Sequence, residues 1–223
     1  MFKVAIDGPS GAGKSTIAKA VAKKLGFIYI DTGAMYRACA LACLNCGVNI
    51  KENPEKAIEI VNNISIDIDY IDGVQKVFLN NDDVSEKIRT PEVSMGASDV
   101  SAIIEVRQKL VFLQRELARA KNVIMDGRDI GTHVLPDAEV KIFLTASPDV
   151  RAERRYKELI EKGIDTDFSS VLTDIKKRDH QDQTRTASPL KQADDAHFLD
   201  TSELSFDESV ERVLSIINNK RKA

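Results

Sequence analysis

The chain has 223 residues, enough for one α/β domain with a modest insertion and a sizeable buried core. Hydrophobic residues make up 43% and charged residues 30%, which disfavours disordered and membrane classes, and a formal net charge of −3 gives no general attraction for nucleic acid, so any polyanion site must be built locally. No apolar run reaches the ~18 residues that cross a bilayer, and Met1-Phe-Lys-Val-Ala-Ile-Asp7 reads as a strand and not a leader, which makes the cytoplasm the expected compartment.

Residues 2–7 are the first expected strand. Ile17, Val21 and Leu25 recur at i, i+4, i+8 and mark an amphipathic helix over 14–25. Residues 27–30 are a second short strand. A helix is expected from about 33 to 46, rich in Ala and Leu and holding all three cysteines, Cys39, Cys43 and Cys46. Their C-x-x-x-C-x-x-C spacing also occurs at iron–sulfur sites. On a helix, however, the three share one face, as buried small apolar residues do, and cluster ligands usually need a loop to converge. Asn53-Pro54 then starts a helix running to about Asn62.

At residue 64 the period changes to two: Ile64, Ile66, Ile68 and Tyr70 alternate with Ser65, Asp67 and Asp69. Asp72-Gly73 and a second extended run through Val77 and Leu79 follow, which is a hairpin signal. A hairpin within a strand–helix series marks an inserted lobe over about 63–97. A helix is expected over 102–120, short buried strands over 123–126 and 140–144, and charged helices over about 148–162 and 168–182. A last strand contains Phe198-Leu199, and a final helix spans about 206–219. Strand and helix alternate, so the expected fold is α/β, a parallel sheet wrapped by helices.

Between the first strand and first helix stands Gly8-Pro9-Ser10-Gly11-Ala12-Gly13-Lys14-Ser15-Thr16, which fits G-x-x-x-x-G-K-S/T. The glycines let the backbone close on a phosphate with its N–H groups inward, and the helix adds its positive end. Lys14 suits the β- and γ-phosphates and the Ser15 hydroxyl suits Mg²⁺. Strand before and helix after are the context that makes this an NTP site, with residues 8–16 as the ATP-binding segment.

Three further segments point to the acceptor: Asp31-Thr32-Gly33-Ala34-Met35-Tyr36-Arg37, Asp126-Gly127-Arg128-Asp129-Ile130-Gly131-Thr132, and Lys177-Arg178-Asp179-His180-Gln181-Asp182-Gln183-Thr184-Arg185. With the P-loop, these motifs in this order resemble the bacterial-type cytidylate kinases over the whole length. The resemblance implies a single P-loop kinase domain with a nucleoside-monophosphate-binding lobe at about 63–97 and a helical lid region at about 148–185. It implies transfer of the γ-phosphate of ATP to CMP or dCMP with Mg²⁺, by a monomer.

The resemblance puts Arg37, Arg128 and Arg185 around the acceptor phosphate, where a planar guanidinium fork binds oxygens in pairs. It gives Ser98 and Arg107 to the base, Asp182 and Tyr36 to the sugar with Arg178 close by, and Thr32 to the same CMP site. Asp129 can accept from cytosine N4, and uracil would set O4 against it. Arg151, Arg154 and Arg155 lie on one helix. The family uses arginines of this segment as a closing lid, a role that the resemblance assigns to Arg154 and Arg155, although Glu153, Lys157 and Glu158 make a solvated charged face an alternative. Lys14, Arg128, Arg154, Arg155 and Arg185 are therefore the catalytic candidates. Asp126 ends a buried strand, where a contact to Mg²⁺-bound water and a cap or turn role both account for it.

Other acceptors, UMP, AMP or a non-nucleotide metabolite, stay open on the residues alone. A guanine-dependent switch would carry N-K-x-D after a strand, and Asn219-Lys220-Arg221-Lys222 lacks the acid.

Overall fold

The computed structural model describes residues 1–71 and 73–222. In chain order the elements are β1 (Lys3–Asp7), α1 (Lys14–Leu25), β2 (Ile28–Asp31), α2 (Thr32–Asn45), α3 (Pro54–Asn63), β3 (Ile66–Ile71), β4 (Val74–Leu79) and β5 (Asp82–Asp83). A 3-10 turn (Lys87–Arg89), α4 (Pro91–Val100), α5 (Ile104–Leu117), β6 (Val123–Gly127) and a π-turn (Ile130–Val134) follow. The chain ends with β7 (Val140–Thr145), α6 (Pro148–Glu161), α7 (Phe168–Thr184), β8 (His197–Asp200) and α8 (Phe206–Lys222). Among the described residues no helix is long and apolar enough to cross a membrane.

The chain divides into two compact units, residues 1–29 with 121–223, and residues 30–120. The first is built on a five-stranded sheet in the order β2-β6-β1-β7-β8, with β1 parallel to β6 and β7 and β7 parallel to β8. The strands of a covered parallel sheet are apolar on both faces. Accordingly, every residue of β6 is buried, and so is all of β1 after Lys3. Val4, Ile6, Ile124, Ile142 and Leu144 pack with Ile17 and Val21 of α1 and Val210, Val213 and Ile217 of α8.

Register decides where the loops emerge. Asp7 pairs with Gly127 and with Phe143, so β1 and β6 end level, with β7 alongside, and the segments after them open at one sheet edge. Ligands of α/β folds bind beyond this edge, at the carboxyl ends of the strands.

The second unit packs α2 against α3, α4 and α5 over an antiparallel sheet β3-β4-β5. Ile66 pairs with Leu79 and Ile71 with Val74, as the alternation predicts. Asp72 of the expected turn lies outside the described residues, and Gly73 has a φ of 75°. Ile66, Val77 and Leu79 face a core with Met35, Cys39, Cys43, Ile88, Val93 and Leu110.

Two expectations need correction. The helix expected over 102–120 is Ile104–Leu117. A separate helix, α4, precedes it, started by the Thr90 hydroxyl accepting from Val93 N at 3.2 Å and by Pro91 in the first turn. The cysteines do not share one environment: Cys39 and Cys43 are buried, but Cys46 falls past the last turn of α2 and is exposed. Burial pushes the Cys39 thiol up to about 12 and the Cys43 thiol to about 11, as inert core residues.

Candidate active site

In the first unit the site starts at Gly8. A side chain there would put its Cβ 1.9 Å from the Leu144 carbonyl oxygen, so the loop lies directly on β7 and only glycine fits. Gly13, with φ 88°, turns the chain into α1. Lys14 is buried and donates to the Pro9 carbonyl at 2.8 Å. Burial, and next the charge of Arg128, lower its pKa to about 7. Ser15 Oγ donates to Asp126 Oδ2 at 2.7 Å, and Tyr29 Oη donates to Asp126 Oδ1 at 2.9 Å. Asp126, next to last in β6, is thus buried with its carboxylate satisfied from two sides, and Tyr29 is a partner that sequence reasoning missed.

Beyond β6, Arg128 Nε donates to Asp182 Oδ2 at 2.8 Å and its Nη1 to the Gly127 carbonyl at 3.3 Å. Arg185 lies 3.7 Å from Asp129 Oδ1 and 3.8 Å from Asp182 Oδ1, and both its Nε and Nη2 donate to the Ser188 carbonyl. Arg178 is half-buried on α7, the helix that carries Asp182. Burial works against ionisation of Asp182, but Arg128, Arg185 and Arg178 hold its carboxyl below the ordinary range. The structure therefore brings Arg128, Asp129, Asp182 and Arg185 into one group, in which guanidinium and carboxylate alternate.

Asp7, the last residue of β1, accepts from Ile130 N and Gly131 N, both at 2.7 Å. It pins the π-turn that follows Asp129 to the strand that feeds the P-loop. Burial pushes its carboxyl up to about 6, against the two backbone N–H groups and with the Asp129 charge adding. An aspartate directly before the glycine loop was the available signal for this residue.

The lid candidates divide. Arg154 Nη2 donates to the Thr201 carbonyl at 2.8 Å, and its Nη1 reaches Ala12 O at 3.5 Å, so it faces the P-loop. Arg155 pairs with Glu158 at 2.7 Å, one turn along the partly exposed face of its own helix.

In the second unit Asp31 caps α2, its Oδ1 accepting from Ala34 N at 2.9 Å and its Oδ2 from Arg37 Nη2 at 2.8 Å. Thr32 opens the helix and is buried. The Arg107 guanidinium lies 5.6 Å from the Tyr36 ring centre, its Nη1 donates to Ser101 O at 3.2 Å, and Ser101 Oγ donates to Ser98 O at 2.8 Å. Tyr36 and Arg107, far apart in sequence, are thereby neighbours, Ser98 is linked to Arg107 through Ser101, and the Arg107 cation is buried.

Sequence comparison decides the family. The family model for cytidylate kinase matches residues 4–219. The chain belongs to the cytidylate kinase family. It is 56% identical over 215 residues to the cytidylate kinase of Caldicellulosiruptor bescii, covering 96% of this chain and 95% of that protein. It is 53% identical over 223 residues to that of Lactobacillus johnsonii, covering 100% and 96%. A crystal structure of an uncharacterized protein from Eubacterium ventriosum shares the fold at a TM-score of 0.55 and 11% identity, covering 98% of this chain and 99% of that one. Cytidylate kinase family membership makes the chain a phosphotransferase of the P-loop class.

Proposed function

We propose that this protein transfers the γ-phosphate of ATP to CMP or dCMP, giving ADP and CDP or dCDP, in pyrimidine nucleotide metabolism. The observation that carries the reading is the Arg128–Asp182–Arg185–Asp129 group, which opens at the sheet edge where the P-loop also opens. Two phosphates repel unless cations stand between them, and a group of guanidiniums held by carboxylates is a preorganised answer.

Residues 8–16 cradle the ATP phosphates. Arg37, Arg128 and Arg185 take the acceptor phosphate, and Arg154 and Arg155 close on the transferring group. Asp129 accepts from cytosine N4, Ser98 and Arg107 serve the base with it, Asp182 and Tyr36 serve the sugar with Arg178 close by, and Thr32 belongs to the same acceptor set. An acceptor-phosphate oxygen, already ionised near neutral pH, attacks the γ-phosphorus in line. The bond to the β,γ-bridging oxygen breaks and ADP leaves, so no general base is required. Lys14 and the arginines stabilise the charge that moves, and catalysis is positioning with electrostatics.

The Ser15 hydroxyl and the Asp126 carboxylate are hard oxygen donors in mutual contact, a set that fits Mg²⁺. Bound there, the ion would neutralise charge on the β- and γ-phosphates. Among the described residues no group of three or more His, Cys, Asp or Glu side chains is placed to hold a metal, so phosphate oxygens would complete its shell. The protein is expected to act in the cytoplasm as a monomer, which sedimentation tests.

An ADP-release assay with ATP and Mg²⁺ tests the reading, with CMP, dCMP, UMP, AMP and GMP as acceptors and wild type beside Asp129→Ala. Strong turnover with CMP and dCMP, weak turnover with UMP, and loss of that contrast in the variant are expected. Equal or better turnover with AMP or GMP, or none with any monophosphate, overturns it.

A further inference from the structure

Arg151, on the first turn of α6, is 3% exposed although it carries a full charge. Its guanidinium is held from three directions. Nε donates to the Ala146 carbonyl at 2.8 Å, Nη1 to the Ser10 carbonyl at 3.0 Å and to Asp179 Oδ1 at 2.9 Å, and Nη2 to Asp179 Oδ2 at 2.6 Å. This is a two-pronged arginine–carboxylate pair with a further prong on the P-loop. Gly11 lies against the same place: a Cβ built on it would sit 3.3 Å from Arg151 Cβ and 3.8 Å from Ile175 Cδ1.

A peptide unit is planar and trans, so its C=O and N–H point in opposite directions. Holding the Ser10 carbonyl toward α6 therefore turns the Gly11 N–H the other way, as a donor available to a phosphate. Asp179, which holds Arg151 in place, stands on α7 directly after Arg178 and one turn before Asp182.

We propose that Arg151, braced by Asp179, is a positioning residue that sets the Ser10–Gly11 peptide for the ATP phosphates and ties the P-loop to the helix that carries Arg178 and Asp182 and leads into Arg185. It acts through the loop backbone and is not a lid arginine, which separates it from Arg154 and Arg155 on the same helix. The inference rests on the ATP-donor reading above.

Equilibrium binding of ATP alone to the full chain, with no acceptor present, is measured for wild type, Arg151→Ala, Arg151→Lys and Asp179→Asn, beside their thermal melts. Arg151→Ala is expected to weaken ATP binding about tenfold or more, and Arg151→Lys and Asp179→Asn several-fold, since a lone ammonium or an amide keeps only part of the fork. In turnover, KM for ATP rises by a larger factor than kcat falls. The Arg151–Asp179 pair lines a cleft of about 340 Å³, so guanidinium ion can enter and restore ATP affinity to Arg151→Ala, which a loss of general stability would not allow. Where Arg151→Ala does not fold, the other two variants carry the test. Folded variants that bind ATP within about twofold of wild type overturn the proposal. A wild type that itself does not bind ATP overturns instead the reading on which the proposal rests.

Discussion

Ser15 Oγ donates a 2.7 Å hydrogen bond to Asp126 Oδ2. The bond joins the first turn of α1 to the end of β6 and holds two oxygen donors at the point where Lys14 also sits. Asp126 is buried, so its carboxylate depends on the hydrogen bonds that Ser15 and Tyr29 supply. Asp126→Asn keeps the shape and removes the charge. The expected result is a fall in kcat/KM on the order of 100-fold, with the Mg²⁺ concentration for half-maximal rate moved upward. Tyr29→Phe, which deletes only the second donor to Asp126, should cost roughly 1 kcal/mol in urea unfolding and a smaller part of the rate.

Gly8 is constrained by a neighbour and not only by its own torsions. With its Cβ position 1.9 Å from Leu144 O, Gly8→Ala has to push the loop off β7. The expected cost is roughly 3 kcal/mol or more, together with loss of ATP binding. Gly26→Ala has no atom within 4 Å of the added Cβ and only its φ of 67° to overcome, and should cost about 1 kcal/mol. Denaturant unfolding of both variants separates the close approach from the torsional cost.

What could be read from the sequence was what is local. The P-loop has strand and helix as immediate neighbours, and the alternation of Ile66 and Ile68 against Asp67 and Asp69 needs no partner to be seen, so the sheet, the hairpin and most helices were legible. The Ser101–Ile103 break between α4 and α5 was not, because apolar residues continue through it; the Thr90-Pro91 start signal was present and unread. Cys46 keeps helical spacing in the sequence, but the helix ends before it. Tyr29 and Arg151 were hidden for another reason. Their partners, Asp126 and the Ser10 carbonyl, lie in segments far along the chain, and alternation or helical spacing gives a face without naming what that face meets.

Lys14 should titrate on nucleotide binding. Burial and the Arg128 charge hold it at about 7, and the negative charge of ATP favours the ammonium form. Binding therefore takes up a proton, and the uptake grows as pH rises through that value, from a small fraction near about pH 6.5 toward one proton near about pH 8. Calorimetric titration of ATP with saturating Mg²⁺, in buffers of different ionisation enthalpy, reads the number directly. Uptake that is absent, or equal at the two pH values, contradicts a lowered Lys14.

Asp7 gives the opposite kind of pH dependence, in stability. Its carboxyl titrates at about 6 in the fold and 3.8 in the unfolded chain, so between these values the folded state binds more protons. The stabilisation from keeping Asp7 protonated is complete below 3.8 and is lost as pH rises through about 6, a change on the order of 3 kcal/mol. Asp7→Asn cannot ionise and keeps one side-chain oxygen for the Ile130 and Gly131 N–H groups. Whatever its stability relative to wild type at about pH 4, that relative stability should improve toward about pH 7, as wild type alone loses this contribution. Urea unfolding of both proteins at a series of pH values measures the difference. A constant difference across the range would show that the two N–H bonds outweigh burial at Asp7 and keep its carboxyl near the ordinary value.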